Sequence, residues 1–189
     1  MFRLLTLGTD GRAMVEMGFD YSKAEVPDRA YYADYCDVVK DRFGYTLIFG
    51  KLVPGGSKLR TKIEISFPED MFVRQLWMGS REFHTVVAKV AAELELPPLG
   101  RVEDTDKVQS FRANNVFMGA WGEEAVMDFY YLSPRDLHLA AAKSKQGNVA
   151  NEPVVRVAMG TVLTYEFLEK CRPLVPENLP ESPKVEVRV

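Results

Sequence analysis

The sequence predicts an α+β protein made of two related halves, each an antiparallel sheet with a helix packed on one face. A strand-rich stretch at 31–54, YYADYCDVVKDRFGYTLIFGKLVP, returns in similar form at 111–134 as FRANNVFMGAWGEEAVMDFYYLSP. Each copy is followed by one more strand pattern and then by a helical pattern. A chain of 189 residues suits one large domain or two halves that share a core, and both arrangements remain open.

Composition favours a water-soluble, cytoplasmic protein. Hydrophobic residues make up 47% of the chain and charged residues 27%, and no stretch approaches the roughly 20 apolar residues that span a bilayer. The first residues, MFRLLTLGTDGR, lack the charged start and cleavage site of a secretory signal. Cys36 and Cys171 are the only cysteines, which suits two reduced core residues better than a disulfide framework. We therefore expect no membrane association.

The first half begins with strand patterns. FRLLTL at 2–7, the turn GTDG and AMVEMGFDY at 13–21 predict a hairpin. In the first quoted stretch, YYADYCDVV and YTLIFGKLV flank the turn signal KDRFG and predict a second hairpin. After the loop PGGS, the segment KLRTKIEIS alternates apolar and polar residues, which is the pattern of a strand with one buried face.

A helix is expected next, because Ser66 and Glu69 stand three residues apart in a capping-box pattern just before an apolar-periodic run. An apolar stripe at three- and four-residue steps continues from Phe83 to Leu94, and two prolines then end the helix. The second half repeats this order with a longer connection at 135–152. Its helix, TVLTYEFLEKC, is expected to take Thr161 as its N-cap.

These patterns divide the chain into three parts. Residues 1–100 form the first sheet-helix repeat with its N-terminal hairpin, residues 101–175 form the second repeat, and residues 176–189 form an extended proline-rich tail. Composition alone predicts about one or two identities over the two aligned stretches. The identical pairs are Ala33 and Ala113, Phe49 and Phe129, Leu52 and Leu132, and Pro54 and Pro134.

The same positions carry a resemblance to a known family. The repeated unit resembles a short bacterial domain family of unknown function, built from one strand-strand-strand-helix unit. Its strand order is also similar to that of SecB-type export chaperones. The resemblance implies a tandem duplication whose two copies cover each other as an internal pseudo-dimer. The matching residues are Tyr32-Ala33-Asp34, Phe49, Pro54-Gly55 and Ser66 with Pro68, and more partially Arg112-Ala113-Asn114, Phe129 and Pro134.

The residue types that support catalysis do not form a recognisable pattern. His84 and His138 stand on separate elements without carboxylates or cysteines at ligand spacing, so we expect no metal or other cofactor. Cys36 lies in the middle of a strand rather than at a helix start that would activate a thiol. The loop PGGSK lacks the other residues of a phosphate-binding loop and is followed by a strand instead of a helix.

We therefore expect a non-enzymatic protein-interaction or scaffolding module, of which chaperone-like holding is one form. The expected partner is another protein or a second copy, because edge strands invite pairing and favour a homo-oligomer. The residues predicted to contact the partner are aromatic, and the alternative is that they form the core. They are Phe72, Trp77, Trp121 and Tyr131.

Two other classes of function stay open at the level of sequence. One is an enzyme whose site is assembled from scattered residues. The other is a weak nucleic-acid binder, although the net charge of -3 and the scattered basic residues disfavour it. Its candidate contacts are Lys58, Arg60, Lys62, Lys143 and Lys145.

Overall fold

The computed structural model describes residues 2–7, 14–19, 24–42, 44–69, 81–93, 101–133 and 151–174, together with positions 72, 76 and 135. Strands dominate these segments. In chain order the strands are β1 (Phe2–Leu7), β2 (Met14–Phe19), β3 (Ala30–Ala33), β4 (Tyr35–Lys40), β5 (Gly44–Leu52), β6 (Leu59–Pro68), β7 (Val108–Arg112), β8 (Asn115–Trp121), β9 (Glu124–Tyr131) and β10 (Glu152–Gly160). Helix α1 spans Arg81–Glu93, and helix α2 spans Thr161–Cys171.

Two four-stranded sheets form the body of the protein. Sheet I has the order β4-β5-β6-β7, and sheet II has the order β8-β9-β10-β3. The strands β1 and β2 pair antiparallel in a hairpin of their own. The predicted α+β class and the predicted hairpins are therefore confirmed. No helix within the described segments is both long enough and apolar enough to cross a membrane.

Each sheet is completed by a strand from the other half of the chain. In sheet II, β3 lies parallel to β10, with Tyr31 opposite Val157. In sheet I, β7 lies parallel to β6, with Phe111 opposite Ile65. The sequence predicted antiparallel strands from one half in each sheet, and this was wrong for β3 and β7. Alternation of apolar residues shows which face of a strand is buried, but not which strand lies beside it.

The chain changes sheets at two corners. The segment YYADYCDVV, expected to form one strand, is divided at Asp34 into β3 and β4, and Asn114 divides β7 from β8 in the same way. An oxygen of the Asp34 side chain accepts a hydrogen bond from the amide of Leu52. The Asn114 side chain accepts from the Leu132 amide and donates to the Leu132 carbonyl oxygen, both at 2.8 Å. These bonds replace ladder bonds at each bend.

The first two strands of the two halves pair in one register. Cys36 lies opposite Phe49 in sheet I, and Val116 lies opposite Phe129 in sheet II, so the equivalent residues differ by 80 in number. β6 and β10 then pair antiparallel with β5 and β9, with a longer connection before β10. The backbone arrangement of one sheet is therefore repeated in the other.

One hydrophobic core joins the two sheets. The rings of Phe49 and Phe129, which occupy equivalent positions, lie 6.0 Å apart between their centres. Phe167 of α2 lies 5.1 Å from Phe49. Helix α2, from the second half, also holds β4 of the first half, because the Lys170 ammonium donates to the Cys36 carbonyl oxygen at 2.6 Å. The inner faces of both sheets thus form a single buried cluster.

Both predicted helix starts need correction. Ser66 lies in β6 opposite Thr46, so the predicted capping box does not form. Pairing with strands on both sides of β6 outweighs this local signal. The N-cap of α2 is Gly160 rather than Thr161, whose hydroxyl donates to the Gly122 carbonyl oxygen at 3.0 Å. The tail at 176–189 and most of the 135–152 connection lie outside the described residues.

Candidate functional site

Of the four aromatic residues expected to meet a partner, the structure describes the side chains of Phe72 and Tyr131, and these two differ in exposure. Phe72 is fully buried and stacks on Tyr45, with 3.9 Å between ring centres. Tyr131 is partly exposed at the end of β9, where the Arg112 guanidinium lies 5.8 Å from its ring centre. Trp77 lies outside the described residues, as does the side chain of Trp121 at the end of β8. Phe72 therefore belongs to the core of this chain.

Both cysteines are free and buried. Burial raises the pKa of the Cys36 thiol to about 12, and the nearby Lys170 offsets this effect only in part. Burial likewise raises the pKa of Cys171. Since the thiolate is the nucleophilic form, both thiols stay protonated and unreactive at neutral pH.

His84 links the two helices. Its Nε2 atom lies 2.8 Å from the Glu169 carboxylate of α2, and its ring lies 5.4 Å from that of Tyr165. No group of three or more histidine, cysteine or acidic residues placed to bind a metal occurs within the described ranges. His138 lies outside them. His84 therefore contributes to helix packing between the halves.

Three candidate nucleic-acid contacts, Lys58, Arg60 and Lys62, form a basic row at the start of β6, and this row is partly neutralised. The Lys62 ammonium lies 2.9 Å from Asp104 and 3.1 Å from Glu64, and only 11% of its side chain is exposed. The hydrogen bond to Asp104 raises the pKa of Lys62, and the same bond lowers the pKa of Asp104. Lys58 and Arg60 are exposed, whereas Lys143 and Lys145 lie outside the described residues. This row therefore does not present three free charges to a phosphate backbone.

The outer face of sheet II carries a continuous apolar row. Tyr32, Ala158, Val126 and Gly119 stand side by side on β3, β10, β9 and β8. Tyr32 is 63% exposed and Val126 and Gly119 are partly exposed, whereas Ala158 is 3% exposed. We call these four residues the apolar row. These residues lie on the face away from the shared core, because β-strand neighbours alternate between faces and Val157 and Met127 fill the inner side.

A second row lies directly beside the apolar row. It consists of Ala30, Arg156, Asp128 and Phe117, in the same strand order. The Arg156 guanidinium donates two hydrogen bonds to the Asp128 carboxylate, at 2.6 and 2.7 Å. The side chain of Asp128 is 4% exposed and that of Arg156 is 32% exposed. This bidentate pair raises the pKa of Arg156 and fixes one positive group at the surface. We call these four residues the charged row.

The matching positions of sheet I are different in character. The apolar row corresponds there to Arg112, Ser66, Thr46 and Val39, which lie side by side on β7, β6, β5 and β4. Three of these four residues are polar or charged, although the inner faces of the two sheets match. The apolar row could not be predicted from the sequence, because its members come from four separate strands and only the sheet order brings them together. Each strand contributes a single small or apolar residue to this row, and such a residue alone does not indicate a binding surface.

Comparison of the chain with protein-family models, with curated proteins and with solved structures found no match in any of the three.

Proposed function

We propose that the protein is a non-enzymatic protein-interaction or scaffolding module that uses the outer face of sheet II. The apolar row carries this proposal, because its counterpart in sheet I is polar while the inner faces correspond. Exposed aromatic residues are enriched at interaction surfaces, and Tyr32 at the end of this row is 63% exposed. Two free, buried thiols are in keeping with the cytoplasm.

We also propose that the chain is a tandem duplication folded as an internal pseudo-dimer. The difference of 80 between equivalent residues of the paired strands β4–β5 and β8–β9 supports it, as does the reciprocal exchange of β3 and β7. In an isologous interface, equivalent residues meet near the two-fold axis. Phe49 and Phe129 are equivalent and make such a contact.

This arrangement explains how the two outer faces can differ in character. Each half receives its fourth strand from the other, and both halves contribute to one core. The buried positions are therefore constrained in both copies, whereas the outer faces are free to diverge. In sheet II they have diverged towards an apolar row with the 63% exposed ring of Tyr32 at one end. Chaperone-like holding of unfolded chains is the broader form of the same activity.

Affinity capture with matched variants tests the proposal. The tagged protein, its Tyr32→Arg variant and its Arg112→Ala variant are incubated with lysate of the native cell, and bound proteins are quantified by mass spectrometry. Arg112 is the matched control, because it occupies the position of Tyr32 on sheet I. We expect Tyr32→Arg to lose bound proteins that the control retains. An identical set on all three baits would contradict the proposal.

The composition of the bound set separates the two forms of the activity. A discrete folded partner in fixed ratio supports a scaffold. Many unrelated, aggregation-prone proteins support chaperone-like holding. Circular dichroism of each bait before use ensures that a loss of binding is not a loss of fold.

A further inference from the structure

We infer that the open edge of sheet I binds a segment of the same chain, residues 185–189, as a fifth strand. The edge is formed by β7, and the segment reads VEVRV. Extended segments bind proteins by adding a strand to an exposed sheet edge. We call residues 185–189 the tail segment. The inference concerns sheet I and is independent of the function proposed for sheet II.

The strand β7 is an edge with backbone groups available for pairing. Among the described residues, β6 is the only strand that pairs with it. The Ala113 amide donates to the Ser66 carbonyl oxygen at 3.1 Å, so the odd-numbered residues of this stretch turn their backbone groups towards β6. Because successive residues of a strand alternate in this respect, Ser110 and Arg112 direct their amides and carbonyl oxygens away from the sheet.

The side chains along this edge are also exposed. On the outer face of sheet I, Val108 is 39% exposed, and Ser110 and Arg112 are exposed as well. On the inner face, Phe111 packs against the hydrophobic core but is only partly buried. An exposed row of backbone donors and acceptors beside a partly covered aromatic ring is a template for another strand.

The tail segment is close enough to reach this edge. The last described residue is Leu174, whose carbonyl oxygen accepts a hydrogen bond from the Tyr45 hydroxyl at 2.9 Å. Tyr45 stands near the start of β5, at the end of sheet I where β7 finishes with Arg112. Two strand spacings separate β5 from β7, which is about 10 Å, whereas residues 175–184 span up to about 33 Å. The tail segment therefore enters at the Arg112 end and runs antiparallel to β7.

One register satisfies both charge and burial. With Glu186 opposite Arg112, Val187 comes to lie opposite Phe111. The outer face then carries a pair of opposite charges, and the inner face carries a β-branched residue beside an aromatic ring. Both kinds of cross-strand pair stabilise antiparallel strands. The valine also covers the part of the Phe111 ring that the core leaves exposed.

The neighbouring registers are unfavourable. A shift of two residues in either direction places Lys184 or Arg188 opposite Arg112, where like charges repel. A shift of one residue turns the charged side chains of the tail segment towards Phe111 and turns its valines to solvent. In the selected register, Arg188 lies opposite the small side chain of Ser110 on the outer face.

Amide hydrogen exchange, measured by NMR on the full chain, tests the inference. In the wild type, the amides of Ser110 and Arg112 should be protected, because they donate to the tail segment. Glu186→Arg sets two arginines against each other and should speed the exchange of both amides at least tenfold. Arg112→Glu alone should have the same effect on the Ser110 amide. The two substitutions together should restore the protection.

Two controls separate a loss of tail binding from a loss of fold. The amides of Gln109 and Phe111 face β6 and should stay protected in every variant. Glu181→Arg makes the same change of charge outside the tail segment, so Ser110 and Arg112 should keep their wild-type protection.

The inference is overturned if the Ser110 and Arg112 amides of the wild type exchange like those of an unstructured chain. Equal losses of protection in Glu181→Arg and Glu186→Arg, or no recovery in the double variant, would also contradict it. If Arg112→Glu does not fold, Val187→Asp provides a second test, because it sets a carboxylate against Phe111 and should expose both amides. Protection that appears only as the protein dimerises in sedimentation velocity would refute binding within one chain, since the segment would then come from a second copy.

Discussion

Removal of the Phe129 ring tests whether the two sheets share one cooperative core. Phe129 is fully buried, and its ring centre lies 6.0 Å from that of Phe49 and 6.4 Å from that of Phe67, both in sheet I. Phe129→Ala removes a buried aromatic ring and leaves a cavity that the surrounding side chains fill only in part. Such substitutions lower the free energy of unfolding by about 3–5 kcal/mol. This is a large share of the roughly 5–15 kcal/mol of a typical protein.

The location of the effect matters more than its size. Because Phe129 contacts residues of the first half, the substitution should destabilise both halves. Hydrogen exchange measured by mass spectrometry should show faster exchange through global opening at the amides of β5 and β9 alike. Urea unfolding followed by circular dichroism should remain a single transition at lower midpoint.

A matched variant completes the test. Phe49→Ala should lower the free energy of unfolding by a similar amount. The double variant should reveal a coupling of about 0.5–1.5 kcal/mol between the two rings. If Phe129→Ala speeds exchange in sheet II while β5 keeps wild-type protection, the two halves unfold independently. The single shared core would then be refuted.

Three further predictions concern single groups. Cys36 in the native protein should resist a thiol reagent at mildly alkaline pH and react only as fast as the protein unfolds, because its pKa is raised to about 12; rapid labelling of folded protein would contradict this. Asn114→Asp should lower the free energy of unfolding by about 3 kcal/mol at neutral pH, since the introduced carboxylate is buried and faces a carbonyl oxygen, whereas Asp34→Asn should change it by less than about 1 kcal/mol. Chemical denaturation should show the Asn114→Asp deficit shrinking as pH falls and the carboxyl regains a proton to donate; an equal deficit at acidic and neutral pH would argue against the hydrogen-bonding scheme. Lys62 lowers the pKa of Asp104, so this ion pair contributes stability above the ordinary pKa of the carboxyl and loses it as pH falls through the lowered value. Asp104→Asn should therefore destabilise by less than about 1 kcal/mol at neutral pH, as expected for an exposed carboxylate, and a larger deficit in acid than at neutral pH would reverse the assigned sign.

The local part of the fold could be predicted from the sequence. Alternation along β6 identified Leu59, Ile63 and Ile65 as the buried side, and all three are buried. The apolar stripe from Phe83 to Leu94 predicted a helix, and α1 spans Arg81–Glu93. These predictions succeeded because strand and helix periods are properties of neighbouring residues.

The capping-box prediction failed for the opposite reason. Ser66 has a suitable side chain for starting a helix, but its backbone pairs with Thr46 on one side and Arg112 on the other. Both partners are distant in sequence, so no local pattern announces them. The candidate site was missed on the same ground, since Tyr32 and Gly119 share a row only after β9 and β10 have come between their strands.

The sequence by itself determined the class of the protein, most of its strand segments, the buried face of β6 and the two similar stretches. Only the tertiary structure decided that β3 and β7 cross to the opposite sheet, that Phe49 meets Phe129, and that four unrelated positions form an apolar row. The physical reason is the range of the interactions. Periodicity is set by bonds between neighbours, whereas sheet order is set by the burial of surfaces that are far apart along the chain.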